Sequence, residues 1–370
     1  MDGGALAAEV TDEDLLDAIG EITNALIKHI AEGTDATADP RLKGWLPANR
    51  SQARWRACAQ NWVLLDHVDR MLREGRRCAL RDLHYQLKQT ELFPGGAPDV
   101  SAAIVRLLEL LGKWLGRSPL SRSALRIVSA PKGFVAGPLV LTTEQGVHID
   151  TSLTPFSIPG DLAEIAQFSV ASTSARFVLV VEKHTVFQQL VDAGFHATYR
   201  AIIITGRGFP DMGTRAFLRA ITDQLGLAPF ALTDFNPSGV HIFLSFKEGA
   251  SAQARAEGDV VLTPSLRWLG LHSADVSPLP RESLDDLTER DRGMIRTMLG
   301  RTSAAGAAPL EPLVQHELRA MQQAGVKADL DHIGRAALFR RAPDRVGDGS
   351  PADKVDLAAL IASKLARHGT

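Results

Sequence analysis

Apolar positions change their spacing near residue 176 of this 370-residue chain. Before that point they recur every three to four residues, the period of a helix with one buried face. Residues 11–33 are the first such stretch. Leu15, Leu16, Ile19, Ile22, Leu26 and Ile30 share one face, and Thr11 with Asp14 forms a capping box at the start. Further helices are predicted over 52–74, 80–90 and 99–115. SALRIVSAPKGFVAGPLVL then reads as a β-hairpin turning around Pro131, Lys132 and Gly133. After Arg176 the pattern becomes short continuous apolar runs alternating with helices. FVLVV ends at Glu182, a helix continues through Ala193, AIIIT ends at Gly206, and a helix in PDMGTRAFLRAITDQLG precedes PFALT, which ends at Asp234. Such runs are strands buried on both faces, as in a parallel sheet joined by right-handed crossovers.

The predicted fold class is therefore α/β and multidomain. Three helices followed by a hairpin is the order of a winged helix, assigned to 45–145. A connector with short strands and the TPFSIPG punctuation occupies 146–174, and the α/β domain spans 175–340. TSAAGAAPLEP (302–312) and APDRVGDGSPAD (342–353) read as loops, and 341–370 as a C-terminal loop and helix. The helix within 1–40 has to dock its apolar stripe, either on its own domain or on a partner; as a partner-docking extension it is separable from the fold.

Composition narrows the class. No apolar run reaches the roughly 20 residues needed to cross a bilayer, so no membrane role is expected. The N-terminus is acidic and lacks the pattern of a secretory signal. With only Cys58 and Cys78, neither a disulfide framework nor a cysteine-built zinc site is expected. The net charge of −2 conceals an asymmetry: residues 1–39 carry ten acids against Lys28 alone, whereas 40–140 carry 17 Lys and Arg against 7 acids. A local excess of that size suits a polyanion, although a solvated basic face gives the same count.

Chemistry in open parallel sheets collects at the carboxyl ends of the strands, where Glu182 and Asp234 both fall. With Asn236 two positions on, they make an oxygen-rich set of the kind a hard Mg²⁺ ion prefers. DFNPSG is equally a plain turn, and GRG at 206–208 is too short to be a dinucleotide fingerprint.

Taken in order, RDLHY (81–85), VVEK (180–183), TGRGFPDMGTR (205–215), LTDFNPSG (232–239) and RWLGL (267–271) resemble the catalytic subunit of topoisomerase VI and its eukaryotic relative, the meiotic double-strand-break transesterase. The resemblance covers about residues 50–335. It implies a winged-helix domain with a catalytic tyrosine, followed by a Toprim domain binding Mg²⁺, for which Mn²⁺ substitutes. The family's Arg-Asp-x-Tyr-Tyr motif places its nucleophile, the second tyrosine, at Tyr85, with His84 in place of the first. On a helix Arg81 lies one turn before Tyr85 and on its face, suited to hold a phosphate or a developing phenolate, while adjacent His84 points about 100° away. By resemblance Glu182, Asp234 and Asn236 are the metal set, an amide replacing one carboxylate and weakening attraction for the cation. Lys132, Gly208, Phe209 and Asp211 match residues that face DNA.

The activity implied is tyrosine transesterification of double-stranded DNA, leaving a 5′-phosphotyrosyl link and a free 3′-hydroxyl, in the nucleus at the start of meiotic recombination. The implied assembly is a homodimer, with one monomer's Tyr85 beside the other's metal site, together with accessory meiotic proteins and a topoisomerase-VI-B-like ATPase-related subunit. The same motifs serve the catalytic chain of a resealing type IIB topoisomerase, and His84 and Asn236 also suit a catalytically weak DNA-binding paralogue. A Toprim nuclease or primase would not need Tyr85.

Overall fold

Thr11 opens the first helix, α1 (Asp12–Glu32), as a capping box requires. Its hydroxyl accepts from the Asp14 N–H at 3.1 Å, while the Asp14 carboxylate accepts from the Thr11 N–H at 3.0 Å. The computed structural model describes residues 10–47, 51–117, 120–128, 130–249, 261–301, 309–331 and 357–368. The loop predicted at 342–353 and most of that at 302–312 lie outside the described residues. Two compact units result, one built from residues up to 130 and the other from 131–249 and 261 onward.

In the first unit α1 packs with α2 (Gln52–Arg73), α3 (Leu80–Lys88) and α4 (Ala97–Leu115). Leu15, Ile19 and Ile22 of α1 enter one core with Leu64, Val68, Leu83, Leu87, Ile104 and Leu107. Each fully buried aliphatic chain contributes roughly 1.5–3 kcal/mol. The N-terminal helix is thus part of this unit, and removing residues 1–39 strips its core. The expectation of a separable extension is corrected on that ground. Asp12 pairs with Arg126, and Asp14 with Arg117 at 3.3 Å, so part of the acidic leader is spent on cations of the basic segment.

The expected hairpin does not form. Its first arm, β2 (Ile127–Val128), pairs parallel with β1 (Cys78–Ala79), which leads into α3. Its second arm, β3 (Phe134–Ala136), joins the sheet of the second unit. Val135 and Ala136 are buried there, and an apolar three-residue strand finds a larger apolar surface beside long buried strands than in a hairpin. Gly137 (φ +132°) lets the chain leave this sheet, because a Cβ at that position would lie 2.3 Å from the Ala201 carbonyl oxygen. Beyond it β4 (Leu139–Thr142) lies between β5 (His148–Asp150) and β7 (Ser169–Thr173) in a small antiparallel sheet, while β6 (Phe156–Ser157) edges the main one.

The main sheet has six strands in the order β11-β10-β8-β9-β3-β6, where β8 is Phe177–Val181, β9 Ala201–Thr205, β10 Ala228–Leu232 and β11 Arg267–Gly270. These last four run parallel, as their apolar runs predict, and β3 and β6 are antiparallel. Helices α5 (Leu162–Ala166), α6 (His184–Asp192), α7 (Phe195–Thr198), α8 (Met212–Leu225) and α9 (Pro237–Glu248) belong to the same unit. Val181 pairs with both Leu232 and Thr205, so β8, β9 and β10 end level. That register brings Glu182 and Asp234 to one edge.

Candidate active site

Tyr85 stands on α3, whose Leu83 and Leu87 face the core while the phenol is 53% exposed. Arg81, one turn earlier, lies with its guanidinium 5.8 Å from the ring centroid. Hydrogen bonding and then charge interaction with Tyr85 hold the Arg81 pKa above its ordinary value. The helical spacing therefore brings these two together as expected. His84 is tilted against Tyr85 at 5.7 Å between centroids, and its Nδ1 is buried without a hydrogen-bond partner among the described residues. Beside α3 the structure shows a cavity the sequence did not reveal, of about 220 Å³, lined by His67, Arg70, Arg76, Arg77, Asp82 and Gln86 among others.

In the second unit Glu182 and Asp234 are 7% and 2% exposed. Glu182 Oε2 accepts the Asp234 N–H at 2.9 Å, and Asp234 Oδ1 accepts the Leu330 N–H at 2.8 Å. Gly239 is required here, because a Cβ would lie 2.4 Å from the Asp234 carbonyl oxygen and 3.1 Å from Glu182 Oε2. Burial, then the neighbouring Asp234 charge, pushes Glu182 up to about 8. Burial likewise pushes Asp234 up to about 6, against the opposing pull of the Leu330 N–H and Lys183.

Asn236 serves a different purpose from its two neighbours. Its Oδ1 caps α9 by accepting the Gly239 N–H at 2.7 Å, which turns Nδ2 towards Asp234 Oδ2 at 3.5 Å. Lys183 and the segment around Leu330 complete the site and were not singled out from sequence. Lys183 Nζ lies 3.1 Å from Asp234 Oδ2, 2.9 Å from Asp329 Oδ2 and 3.1 Å from Asp331 Oδ2. Burial opposes its charge but is outweighed by these carboxylates, which hold its pKa above the ordinary lysine range. The only sequence signal for the pair was the alternation ADLD at 328–331.

No group of three or more His, Cys, Asp or Glu side chains arranged to hold a metal occurs among the described residues. The available donors still have the chemistry of a hard ion's site: two adjacent carboxylates, both driven towards the neutral form by burial, whose charge a divalent cation would stabilise. Glu182 and Asp234 fit that role, while Asn236 offers the site an N–H.

The four residues expected to face DNA gather in one region of this unit. The Gly208 N–H donates to the Glu182 carbonyl at 2.9 Å, and Phe209 is exposed, edge-on to His241 at 5.0 Å. Lys132 Nζ donates to the Phe209 carbonyl at 2.7 Å, so it braces the loop. Asp211 is the N-cap of α8, accepting the Thr214 N–H at 3.1 Å, and burial pushes its pKa up.

A mixed sheet with acids at the ends of its parallel strands defines a Toprim-class domain. The family model for the Toprim domain of Spo11 and the catalytic chain of topoisomerase 6 (TOP6A) matches residues 177–339. The chain is 32% identical over 274 residues to "Meiotic recombination protein W68" of Drosophila melanogaster, covering 73% of this chain and 76% of that one. It is 34% identical over 275 residues to "Meiotic recombination protein SPO11-1" of Oryza sativa subsp. indica, covering 73% and 68%. To "Meiotic recombination protein SPO11" of Homo sapiens it is 29% identical, covering 73% and 65%. The chain belongs to the TOP6A/Spo11 family.

Proposed function

We propose that this protein makes DNA double-strand breaks by tyrosine transesterification in meiotic recombination, with Tyr85 as the nucleophile. The observation that carries the reading is an exposed phenol with Arg81 one helical turn away, on a chain of this family. The Tyr85 oxygen forms a bond to the scissile phosphorus, and the bond to the deoxyribose 3′ oxygen breaks. One phosphodiester replaces another, and the leaving alkoxide takes up a proton to become the free 3′-hydroxyl. Arg81 supports this by charge-assisted hydrogen bonds to the phosphate.

A duplex has two strands and each chain one such tyrosine, so a symmetric homodimer supplies both attacks. The helical unit acts as a winged-helix-type DNA-binding domain. Glu182 and Asp234 would hold Mg²⁺, which when bound neutralises phosphate charge and positions DNA. Lys132, Gly208, Phe209 and Asp211 shape the DNA-facing surface, Lys132 and Asp211 by fixing the loop between them. Ile27 and Ile30, at the exposed end of α1, are the part of its stripe left for a B-type partner. The place of action is the nucleus.

The test is a covalent-adduct assay with end-labelled duplex DNA, Mn²⁺ or Mg²⁺ and the B-type partner. A 5′-linked adduct that disappears in Tyr85→Phe is expected. No adduct from wild type, despite DNA binding and an assembled complex, would favour the catalytically weak paralogue, a reading that the Asn236 amide facing Asp234 supports. Relaxation of supercoils with resealing would favour the topoisomerase instead.

A further inference from the structure

The acid site already contains a cation, the ammonium of Lys183. Resting on the metal reading above, we infer that Lys183 is a built-in counter-ion of this site, anchored by Asp329 and Asp331, and that a divalent ion engages Asp234 only by displacing it.

Backbone N–H groups already engage one oxygen of each site carboxylate. Asp234 Oδ1 is taken by the Leu330 N–H at 2.8 Å and Glu182 Oε2 by the Asp234 N–H at 2.9 Å. Asp234 Oδ2 is therefore the oxygen a metal would use, and Lys183 Nζ sits on it at 3.1 Å. Asn236 Nδ2 faces the same oxygen as a donor, so it does not draw a metal there.

Lys183 has somewhere to go. An ammonium has three donors, and two of its three carboxylates remain when it leaves Asp234. Those two are fixed in place: Thr185 Oγ1 donates to Asp331 Oδ1 at 3.0 Å, and Ala328 and Phe235 exchange backbone hydrogen bonds at 2.9 and 3.0 Å. The pair is a holding site that keeps the ammonium close without letting it escape to solvent. Metal affinity is then set by competition between Lys183 and the metal for one oxygen.

This makes the two arms of one ion cluster act in opposite directions. Mn²⁺ binding to the full-length protein is measured from the free-ion EPR signal at fixed pH and ionic strength, with thermal melts in EDTA to verify folding. Lys183→Met is expected to tighten Mn²⁺ binding by roughly tenfold, the size of one removed like charge in a partly screened site. Lys183→Gln should act in the same direction and is read if the Met variant does not fold. The Asp329→Asn/Asp331→Asn double variant should weaken binding by a similar factor, because the ammonium falls back on Asp234. Added to Lys183→Met, the same double change should do much less, since nothing remains to be held.

A brace with no competitive role gives weaker binding in all of these variants, and that result overturns the inference, as does an undiminished effect of the Asp changes without Lys183. If wild type binds Mn²⁺ but neither Lys183 variant tightens it, only this inference falls. If no variant binds at millimolar Mn²⁺, the metal reading falls with it.

Discussion

Tyr85 and Glu182 are both titratable side chains within short motifs, yet the fold treats them in opposite ways. Tyr85 stands half exposed on a nine-residue helix, with Arg81 as its charged neighbour. Glu182 is buried at a strand end, held by a backbone N–H and surrounded by three further acids and one lysine. A nucleophile that ends covalently attached to DNA needs access, and its supporting structure can be light. Paired carboxylates need the reverse, because their mutual repulsion is contained only by a rigid shell of donors. Substitutions near Tyr85 should therefore change chemistry while sparing the fold, and those near Glu182 should change the fold first.

The largest effect that sharpens this contrast is expected from Arg81→Ala. Loss of a donor to the phosphate should slow adduct formation by about a hundredfold, while stability changes by no more than about 0.5 kcal/mol. Partial recovery is expected for Arg81→Lys; a marked drop in melting temperature would remove the contrast. Next, Gly239→Ala drives a Cβ against the Asp234 carbonyl and should destabilise by about 1–3 kcal/mol in chemical denaturation. An unchanged midpoint there would show that the acid shell yields.

A smaller effect follows from protonation. Glu182 is raised from 4.5 to about 8 and Asp234 from 3.8 to about 6, so across that window the folded chain binds more protons than the unfolded one. Without divalent metal, stability should fall as pH rises from about 5 to 8. Added Mg²⁺ should flatten the slope, and melts across this range in EDTA and in Mg²⁺ would check both. The smallest effect belongs to the α1 cap: Thr11→Ala should cost about 1 kcal/mol and leave adduct formation and metal binding alone.

The sequence made the parallel strands legible because FVLVV, AIIIT and PFALT are apolar on both faces, a pattern with few other uses. The Thr11 box and the Arg81–Tyr85 spacing were legible for the same reason, since each is local. The fate of Phe134–Ala136 was not. A three-residue apolar strand carries no mark of which partner it will join, and here the choice was made by β9, nearly seventy residues away. Lys183 escaped notice on similar grounds, its partners Asp329 and Asp331 being 146 and 148 residues distant. The role of Asn236 depended on a rotamer: its identity suggested a metal ligand, whereas its hydrogen bond to Gly239 makes it a cap.

The N–H of Leu330 reaches back 96 residues to Asp234, which has a consequence for how the protein is born. The ribosome releases the strands carrying Glu182 and Asp234 long before it delivers Leu330, Asp329 and Asp331. Until then Asp234 lacks its N–H donor and Lys183 lacks two of its three carboxylates. A nascent or prematurely terminated chain can thus pair its strands while its acid site is still unbuilt, and translation itself times the appearance of a competent centre.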